Sequence, residues 1–128
     1  NCRPFEFGVD IVTHSTTKYM DGHAMALGGA IVDSGNFDWD AHADKFPGLT
    51  TPDESYHGVI YTQKFGKKAY ITKATAQLMR DMGACQSPQN AFLTNVGLET
   101  LHLRVERHCR NAEKVAEFLK NQSEGSVG

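Results

Sequence analysis

Two short apolar runs in the first third of the chain predict β-strands. One covers residues 9–13 and the other residues 29–33, and polar residues or glycines lie beside each run. Short apolar runs with such boundaries are typical of buried strands. Residues 15–27 between them predict a loop, and the long segment 34–64, broken by Gly, Pro and Asp, predicts an irregular connection with one short helix near residues 39–45.

The rest of the chain shows helical periodicity. Apolar spacing predicts a helix over residues 67–82 that Gly83 ends, and Ser87 followed by Pro88 predicts an N-cap and first position of a helix running towards Gly97. A further helix carries an apolar stripe, which we expect to pack in a core or against a neighbouring domain, not in a coiled coil with a partner. The stripe consists of Leu98, Leu101, Val105, Cys109, Ala112, Val115 and Leu119.

Strands followed by helices indicate an α/β protein, and composition narrows its class. The 128 residues are 40% hydrophobic and 22% charged, which is ordinary for a globular domain. The net charge of −2 gives no reason to expect binding to nucleic acid or an anionic membrane. No apolar run is long enough for a membrane span, and the first residues lack the apolar segment of a signal peptide.

The cysteines indicate a reducing compartment. Cys2, Cys85 and Cys109 are odd in number and far apart, which argues against a disulfide framework. We therefore expect small, packed thiols in a cytoplasmic protein. Metal binding is not expected either, because His102, Glu106, His108 and Cys109 would lie on different faces of one helix.

The most informative segment is the predicted loop that contains Lys18. Three hydroxyl residues, Ser15, Thr16 and Thr17, precede this lysine, which lies just past the end of the first predicted strand. Chemistry in α/β sheets gathers at the carboxyl ends of strands. A lysine amine there can form a Schiff base with a phosphorylated aldehyde, and neighbouring hydroxyls can hold the phosphate. The four residues alone are also typical of an ordinary exposed lysine, so the wider context decides.

That context resembles a known family. Asp10, Ile11, the run from Ser15 to Met20, Gly22 and His23 resemble the pyridoxal 5'-phosphate (PLP) attachment signature of the Cys/Met-metabolism enzymes. The resemblance continues to about Lys120 and is closest to the O-acetylhomoserine sulfhydrylase branch. The segments that carry the branch are FDW at 37–39, FPGLT at 46–50, SYHG at 55–58, SP at 87–88, NAF at 90–92, GLETL at 97–101 and RHC at 107–109.

The resemblance implies a role for each loop residue. Lys18 would bind PLP covalently and move protons at the substrate carbons, while Ser15 and Thr17 would hydrogen-bond the cofactor phosphate. Thr16 would point the other way. Tyr19 would be packed under the loop and would not be the residue that stacks on the cofactor ring.

The resemblance also implies a fold and an assembly. The fold would be that of PLP-dependent transferases of the aspartate aminotransferase type (fold type I). Residues 1–100 would form the C-terminal part of the PLP-binding large domain, and residues 101–128 the helix towards a C-terminal domain. The chain would then be a fragment, because the groups that pair with the pyridine nitrogen, stack on the ring and bind the substrate carboxylate lie elsewhere in the family. A homo-oligomer, a dimer of dimers, is expected.

The implied reaction is a γ-replacement. O-acetyl-L-homoserine and sulfide would give L-homocysteine and acetate, in methionine and cysteine biosynthesis. The insertion between Asp33 and Phe65 favours this reaction. Two alternatives stay open: a lyase or synthase of the same family acting on methionine or cystathionine, and a non-catalytic fragment.

Overall fold

The computed structural model describes residues 2–124, and of Ser123 and Glu124 only the backbone. The chain divides into two compact units. The first consists of Asn1–His14 and Gly29–Gln86, and the second of Ser15–Gly28 and Ser87–Gly128. The predicted boundary near residue 100, between domain parts 1–100 and 101–128, stays a prediction.

Two strands form a two-stranded sheet, β1 (Ile11–Ser15) and β2 (Gly29–Asp33). The backbone N–H of Ser34 donates to Asp10 O at 2.9 Å, and that of Thr16 donates to Gly28 O at 3.0 Å, so the strands are antiparallel. The prediction for β2 is confirmed. The prediction for β1 was two residues too early, because the N–H of Val9 closes the preceding turn on Pro4 O at 3.3 Å.

Short helical segments make up most of the remaining first unit. The prediction of a helix over residues 67–82 is confirmed, although its middle third has the wider π geometry, and Gly83 ends it at a left-handed φ of 68°. The helix expected near residues 39–45 is a single 3₁₀ turn. The α-helical segments are α1 (Pro47–Thr50), α2 (Tyr61–Phe65), α3 (Ala69–Lys73) and α4 (Arg80–Met82); 3₁₀ turns cover Pro4–Phe7, Asp40–His42, Glu54–Tyr56 and Gly66–Lys68, and the π segment covers Ala74–Met79.

An aromatic cluster forms the core of the first unit. Leu49, Tyr61 and Ala69 are buried at its centre. Partly buried aromatic rings surround them, from Trp39, Tyr56, Phe65 and Tyr70. The segment 34–64 that the sequence predicts to be irregular therefore supplies much of this core, because its aromatic residues bury large apolar areas even without long helices.

Two helices follow in the second unit, α5 (Pro88–Glu99) and α6 (Leu101–Glu124). The predicted N-cap is confirmed, since Ser87 Oγ accepts a hydrogen bond from Asn90 N at 3.1 Å. Gly97 does not end α5 but lies buried inside it. The apolar stripe is half-buried at Leu101, Val105 and Cys109, whereas Leu98 and the C-terminal end are exposed, so the structure bears out packing only for the middle of the stripe.

No helix within residues 2–124 has the length and apolar character that a bilayer crossing requires.

Candidate functional site

The loop that follows β1 presents Lys18. A wide helical turn covers Thr16–Met20, and Lys18 departs from helical geometry inside it, at φ −90° and ψ −112°. Its carbonyl oxygen accepts a hydrogen bond from Gly22 N at 2.8 Å, while its side chain is exposed. Within residues 2–124 the ε-amine has no hydrogen-bond or ion-pair partner, so it is available for reaction.

Two of the three hydroxyl residues lie on the accessible side of this loop. Ser15, at the end of β1, is exposed. Thr17 Oγ1 accepts a hydrogen bond from Gly28 N at 3.0 Å and lies 3.4 Å from Gly28 O. The second contact is long and weak for a hydroxyl donor. Thr17 can therefore turn its proton towards an incoming anion while it keeps the hydrogen bond from Gly28 N.

Thr16 takes the opposite direction, as predicted. Its side chain is only 5% exposed, and among the described residues its hydroxyl has no hydrogen-bond partner. The change from exposed Ser15 to buried Thr16 follows from the extended backbone at the end of β1, where successive side chains point to opposite faces. Lys18 lies in the wide turn that follows and is exposed.

The turn after Lys18 is built around the fully buried carboxylate of Asp21. Its Oδ2 accepts hydrogen bonds from the backbone N–H of Met25 at 2.8 Å, His23 at 3.3 Å and Ala26 at 3.4 Å. The bond from Met25 is the largest cause that lowers the pKa of Asp21. Ala24, inside this turn, has a left-handed φ of 57°, a strained conformation that the three bonds hold in place.

Two residues far along the chain fix the same turn, and the sequence did not reveal them. The guanidinium of Arg104 on α6 donates to Tyr19 O at 2.7 Å, Met20 O at 3.4 Å and Gly97 O at 2.6 Å. A Cβ atom on Gly97 would overlap the carbonyl oxygens of Met20 and Asp21. The partial signal in the sequence was a glycine inside an otherwise helical pattern, which often marks a close backbone approach.

Tyr19 and His23 complete the description of the loop. The prediction that Tyr19 is packed under the loop was wrong: its side chain is 60% exposed, and its ring lies edge-on to His108 with centroids 5.3 Å apart. Arg104 holds the carbonyl oxygen of Tyr19, so the backbone of the loop is fixed there without packing of the Tyr19 ring. His23 belongs to the turn, where a ring nitrogen lies 2.7 Å from Asp21 O.

These groups suit a phosphorylated aldehyde. The loop combines an exposed amine at Lys18 with hydroxyl groups of Ser15 and Thr17, which come three residues and one residue before it. An amine condenses with an aldehyde with loss of water, and hydroxyl-to-phosphate hydrogen bonds are strengthened by the charge of the acceptor. The donor set therefore fits PLP, with Lys18 at its aldehyde and Ser15 and Thr17 at its phosphate.

Comparison with known proteins places the loop in a wider context. Residues 1–127 match the family described as Cys/Met metabolism PLP-dependent enzyme. The chain is 48% identical to the homocysteine/cysteine synthase of Saccharomyces cerevisiae over 119 residues, which cover 93% of this chain and 27% of that protein. It is 47% identical to the O-acetyl-L-homoserine sulfhydrylase of Leptospira meyeri, over 91% of this chain and 28% of that protein.

Solved structures give the same result. A Campylobacter jejuni protein provisionally named O-acetylhomoserine (thiol)-lyase, which contains N'-pyridoxyl-lysine-5'-monophosphate, superposes with a TM-score of 0.75 at 41% identity. The alignment covers 91% of this chain and 29% of that one. The O-acetylhomoserine sulfhydrylase of Wolinella succinogenes superposes with a TM-score of 0.71 at 35% identity, over 91% of this chain and 29% of that one. The chain thus spans less than a third of the length of these relatives.

Proposed function

Because the chain belongs to the Cys/Met metabolism family of PLP-dependent enzymes, we propose that it supplies the lysine of a γ-replacement enzyme. The reaction converts O-acetyl-L-homoserine and sulfide into L-homocysteine and acetate. The chain has the α/β fold of PLP-dependent transferases, fold type I, as predicted. The observation that carries the proposal is the exposed amine of Lys18, without a partner in residues 2–124, on the loop that follows β1.

Lys18 has two tasks in this proposal. Its amine would hold PLP through the cofactor aldehyde. As a free amine, Lys18 would remove the proton from the substrate Cα and move a proton at Cβ. PLP, when bound, supplies an electron sink that makes those protons acidic. Acetate leaves from Cγ, and sulfide then adds at that carbon.

Ser15 and Thr17 would hold the cofactor phosphate. Ser15 would donate from the end of β1, and Thr17 would donate while its oxygen keeps the hydrogen bond from Gly28 N. Because both hydroxyls and Lys18 belong to one short segment, they would hold the phosphate and the aldehyde from the same backbone. This fixed geometry lowers the entropy cost of the reaction.

The substrate assignment rests on the names of the relatives. The proteins from Leptospira meyeri and Wolinella succinogenes are called O-acetylhomoserine sulfhydrylases, and that from Saccharomyces cerevisiae a homocysteine/cysteine synthase. The groups that pair with the pyridine nitrogen, stack on the ring and bind the substrate carboxylate are supplied from outside these 128 residues in this proposal. We expect no turnover from the 128-residue chain alone.

We also propose a homo-oligomer, a dimer of dimers, in the cytoplasm. Large apolar side chains are exposed on the described surface of the first unit, among them Ile31, Leu78 and Met82. Exposed apolar patches of this kind mark surfaces that pack against other chain segments or subunits. The expectation of packed thiols was wrong for Cys2 and Cys85, which are exposed, and free thiols of this kind support a reducing compartment. Light scattering of the natural gene product tests the dimer of dimers, and cell fractionation tests the cytoplasmic location.

The natural gene product tests the chemistry. We expect a visible absorbance band that borohydride bleaches, with a pyridoxyl adduct on the peptide that contains Lys18. Lys18→Ala should lose the adduct and lower kcat by roughly 100- to 10,000-fold, the usual range for a positioned base. Lys114→Ala, an exposed lysine on α6, is the matched control and should keep both.

Substrate assays then separate the family members. Homocysteine formation from O-acetyl-L-homoserine and sulfide supports the γ-replacement. Fast release of α-ketobutyrate from methionine alone would assign the protein to the lyases instead. A colourless gene product without a Lys18 adduct after addition of PLP would support the non-catalytic alternative.

A further inference from the structure

The side chain of Arg104 joins the loop of Lys18 to both helices of the second unit. Its Nη1 donates to Tyr19 O, and its Nη2 donates to Met20 O and Gly97 O, at 2.7, 3.4 and 2.6 Å. Its Nε donates to the hydroxyl of Thr100 at 3.0 Å. A guanidinium is a planar, permanently charged group with donors in a rigid fork. One side chain can therefore hold several carbonyl groups in a fixed arrangement.

Two glycines make room for this arrangement. A Cβ atom on Gly22 would overlap the guanidinium of Arg104. A Cβ atom on Gly97 would overlap the carbonyl oxygens of Met20 and Asp21. The loop has a glycine where it meets Arg104, and α5 has a glycine where it meets the loop. The sequence thus leaves room for both close contacts.

Two of the three carbonyl groups that Arg104 holds belong to the two residues directly after Lys18. Lys18 is the residue of this turn whose backbone is not helical, with a ψ of −112°. The ψ of Lys18 sets the direction of the peptide between Lys18 and Tyr19, whose carbonyl oxygen accepts the hydrogen bond from Gly22 N. Arg104 holds the carbonyl groups of the next two peptides, so it restricts ψ of Lys18 through the backbone of Tyr19. Without Arg104, we expect helical geometry at Lys18 to become accessible and the amine to move.

We propose that Arg104 is a positioning residue that keeps Lys18 in the non-helical geometry from which its amine reaches the cofactor. The proposal rests on the proposed function, since it assumes that Lys18 binds PLP. Arg104 acts on the chemistry through the backbone of Tyr19 and Met20. Its removal should therefore change cofactor binding and the titration of the Lys18–cofactor link together.

The test compares Arg104→Met with wild type in the natural gene product. We expect the dissociation constant for PLP to rise about 10- to 100-fold, the range typical when a group that orients a ligand-bearing residue is removed. The pH midpoint of the visible absorbance band should shift, and amide hydrogen exchange over residues 18–26 should accelerate in the cofactor-free protein. Arg107→Met on the same exposed helix removes the same charge and is the control.

Two further variants keep the test decisive if Arg104→Met does not fold. Arg104→Lys retains the charge, but an ammonium cannot span the three carbonyl groups, so it should rescue only part of the affinity. Thr100→Val leaves the arginine but removes the acceptor that orients Nε, and should produce a smaller change in the same direction.

The outcomes separate the two proposals. An adduct on Lys18 in wild type, together with unchanged PLP affinity, absorbance titration and exchange in Arg104→Lys and Thr100→Val, would overturn the role of Arg104 alone. Absence of the adduct in wild type would overturn the proposed function. Faster exchange of the loop in the Arg104 variants combined with weaker PLP binding supports the role.

Discussion

The ε-amine of Lys73 lies 2.6 Å from Oδ2 of Asp53, and both side chains are largely withdrawn from solvent. The same amine lies 4.7 Å from the ring centroid of Tyr61. Asp53 Oδ1 accepts hydrogen bonds from the backbone N–H and the hydroxyl of Ser55. The ion pair therefore ties the segment before α2 to α3, next to the aromatic core of the first unit.

Lys73→Met should destabilise the protein by about 3 kcal/mol, at the low end of the cost of removing one partner of a buried ion pair. The low end applies because Asp53 keeps both hydrogen bonds from Ser55. Urea unfolding of the natural gene product measures the change. Lys68→Met, an exposed lysine, is the control and should change little. Equal effects of the two substitutions would show that the ion pair contributes nothing.

Stability should fall in acid through Asp53. The hydrogen bond from Lys73 is the largest cause that lowers the pKa of Asp53 below its ordinary value of 3.8. A lowered folded-state pKa means that the ionised carboxylate stabilises the fold above the unfolded-state pKa, and that this stability is lost as the pH falls through the folded-state pKa. Unfolding free energies between about pH 5 and pH 2 should fall less steeply in Asp53→Asn than in wild type.

Asp44→Asn provides the comparison for this pH dependence. Asp44 is exposed in the same unit. Its removal should leave the slope of stability against pH as in wild type. If the unfolding free energies of Asp53→Asn and Asp44→Asn depend on pH in the same way, Asp53 is not the source of the loss of stability in acid.

Tyr61→Phe should leave stability unchanged or raise it by about 1 kcal/mol. The side chain is fully buried, and its hydroxyl has no hydrogen-bond partner among the described residues. Burial is also the main reason that the pKa of Tyr61 is raised. Phenylalanine keeps the ring under Lys73 and removes the unpaired polar group. Urea midpoints of Tyr61→Phe and of Tyr70→Phe, which is half-buried, provide the measurement; a clear loss for Tyr61→Phe alone would reveal a partner for the hydroxyl.

Gly97→Ala should weaken both the fold and cofactor binding. The added Cβ meets the carbonyl oxygens of Met20 and Asp21, so α5 or the loop must move, at a cost of roughly 1–3 kcal/mol for overpacking. Alanine is otherwise favoured over glycine in a helix, so a loss of stability in Gly97→Ala would come from the overlap with the loop. Asn95→Ala, exposed on the same helix, is the control. Unfolding and PLP titration are measured together, and a stabilised Gly97→Ala would contradict the close approach.

Local signals in the sequence predicted the local features correctly. Ser87 was recognised as an N-cap and Gly83 as a helix end, because capping depends on a few neighbouring residues. The alternation of exposed Ser15 and buried Thr16 also follows from strand geometry alone. The resemblance to a family supplied the role of Lys18, which spacing could not.

Contacts between distant residues could not be predicted from one sequence. The helix from Pro88 was expected to run towards Gly97, but Gly97 lies inside α5, where it contacts a segment far away along the chain. Arg104 carried no signal at all, since exposed and structural arginines look alike in a helical pattern. Tyr19 was placed wrongly for the same reason: its surroundings are set by α6.

The hydrogen bond between Arg104 and Tyr19 joins residues 85 positions apart. The lysine loop is therefore synthesised long before the arginine that holds it. At about 5–20 residues per second, ribosomes need roughly 4–17 s to cover that distance. During translation the loop of Lys18 therefore lacks the hydrogen bonds from Arg104 for this interval, and α6 must emerge before they can form.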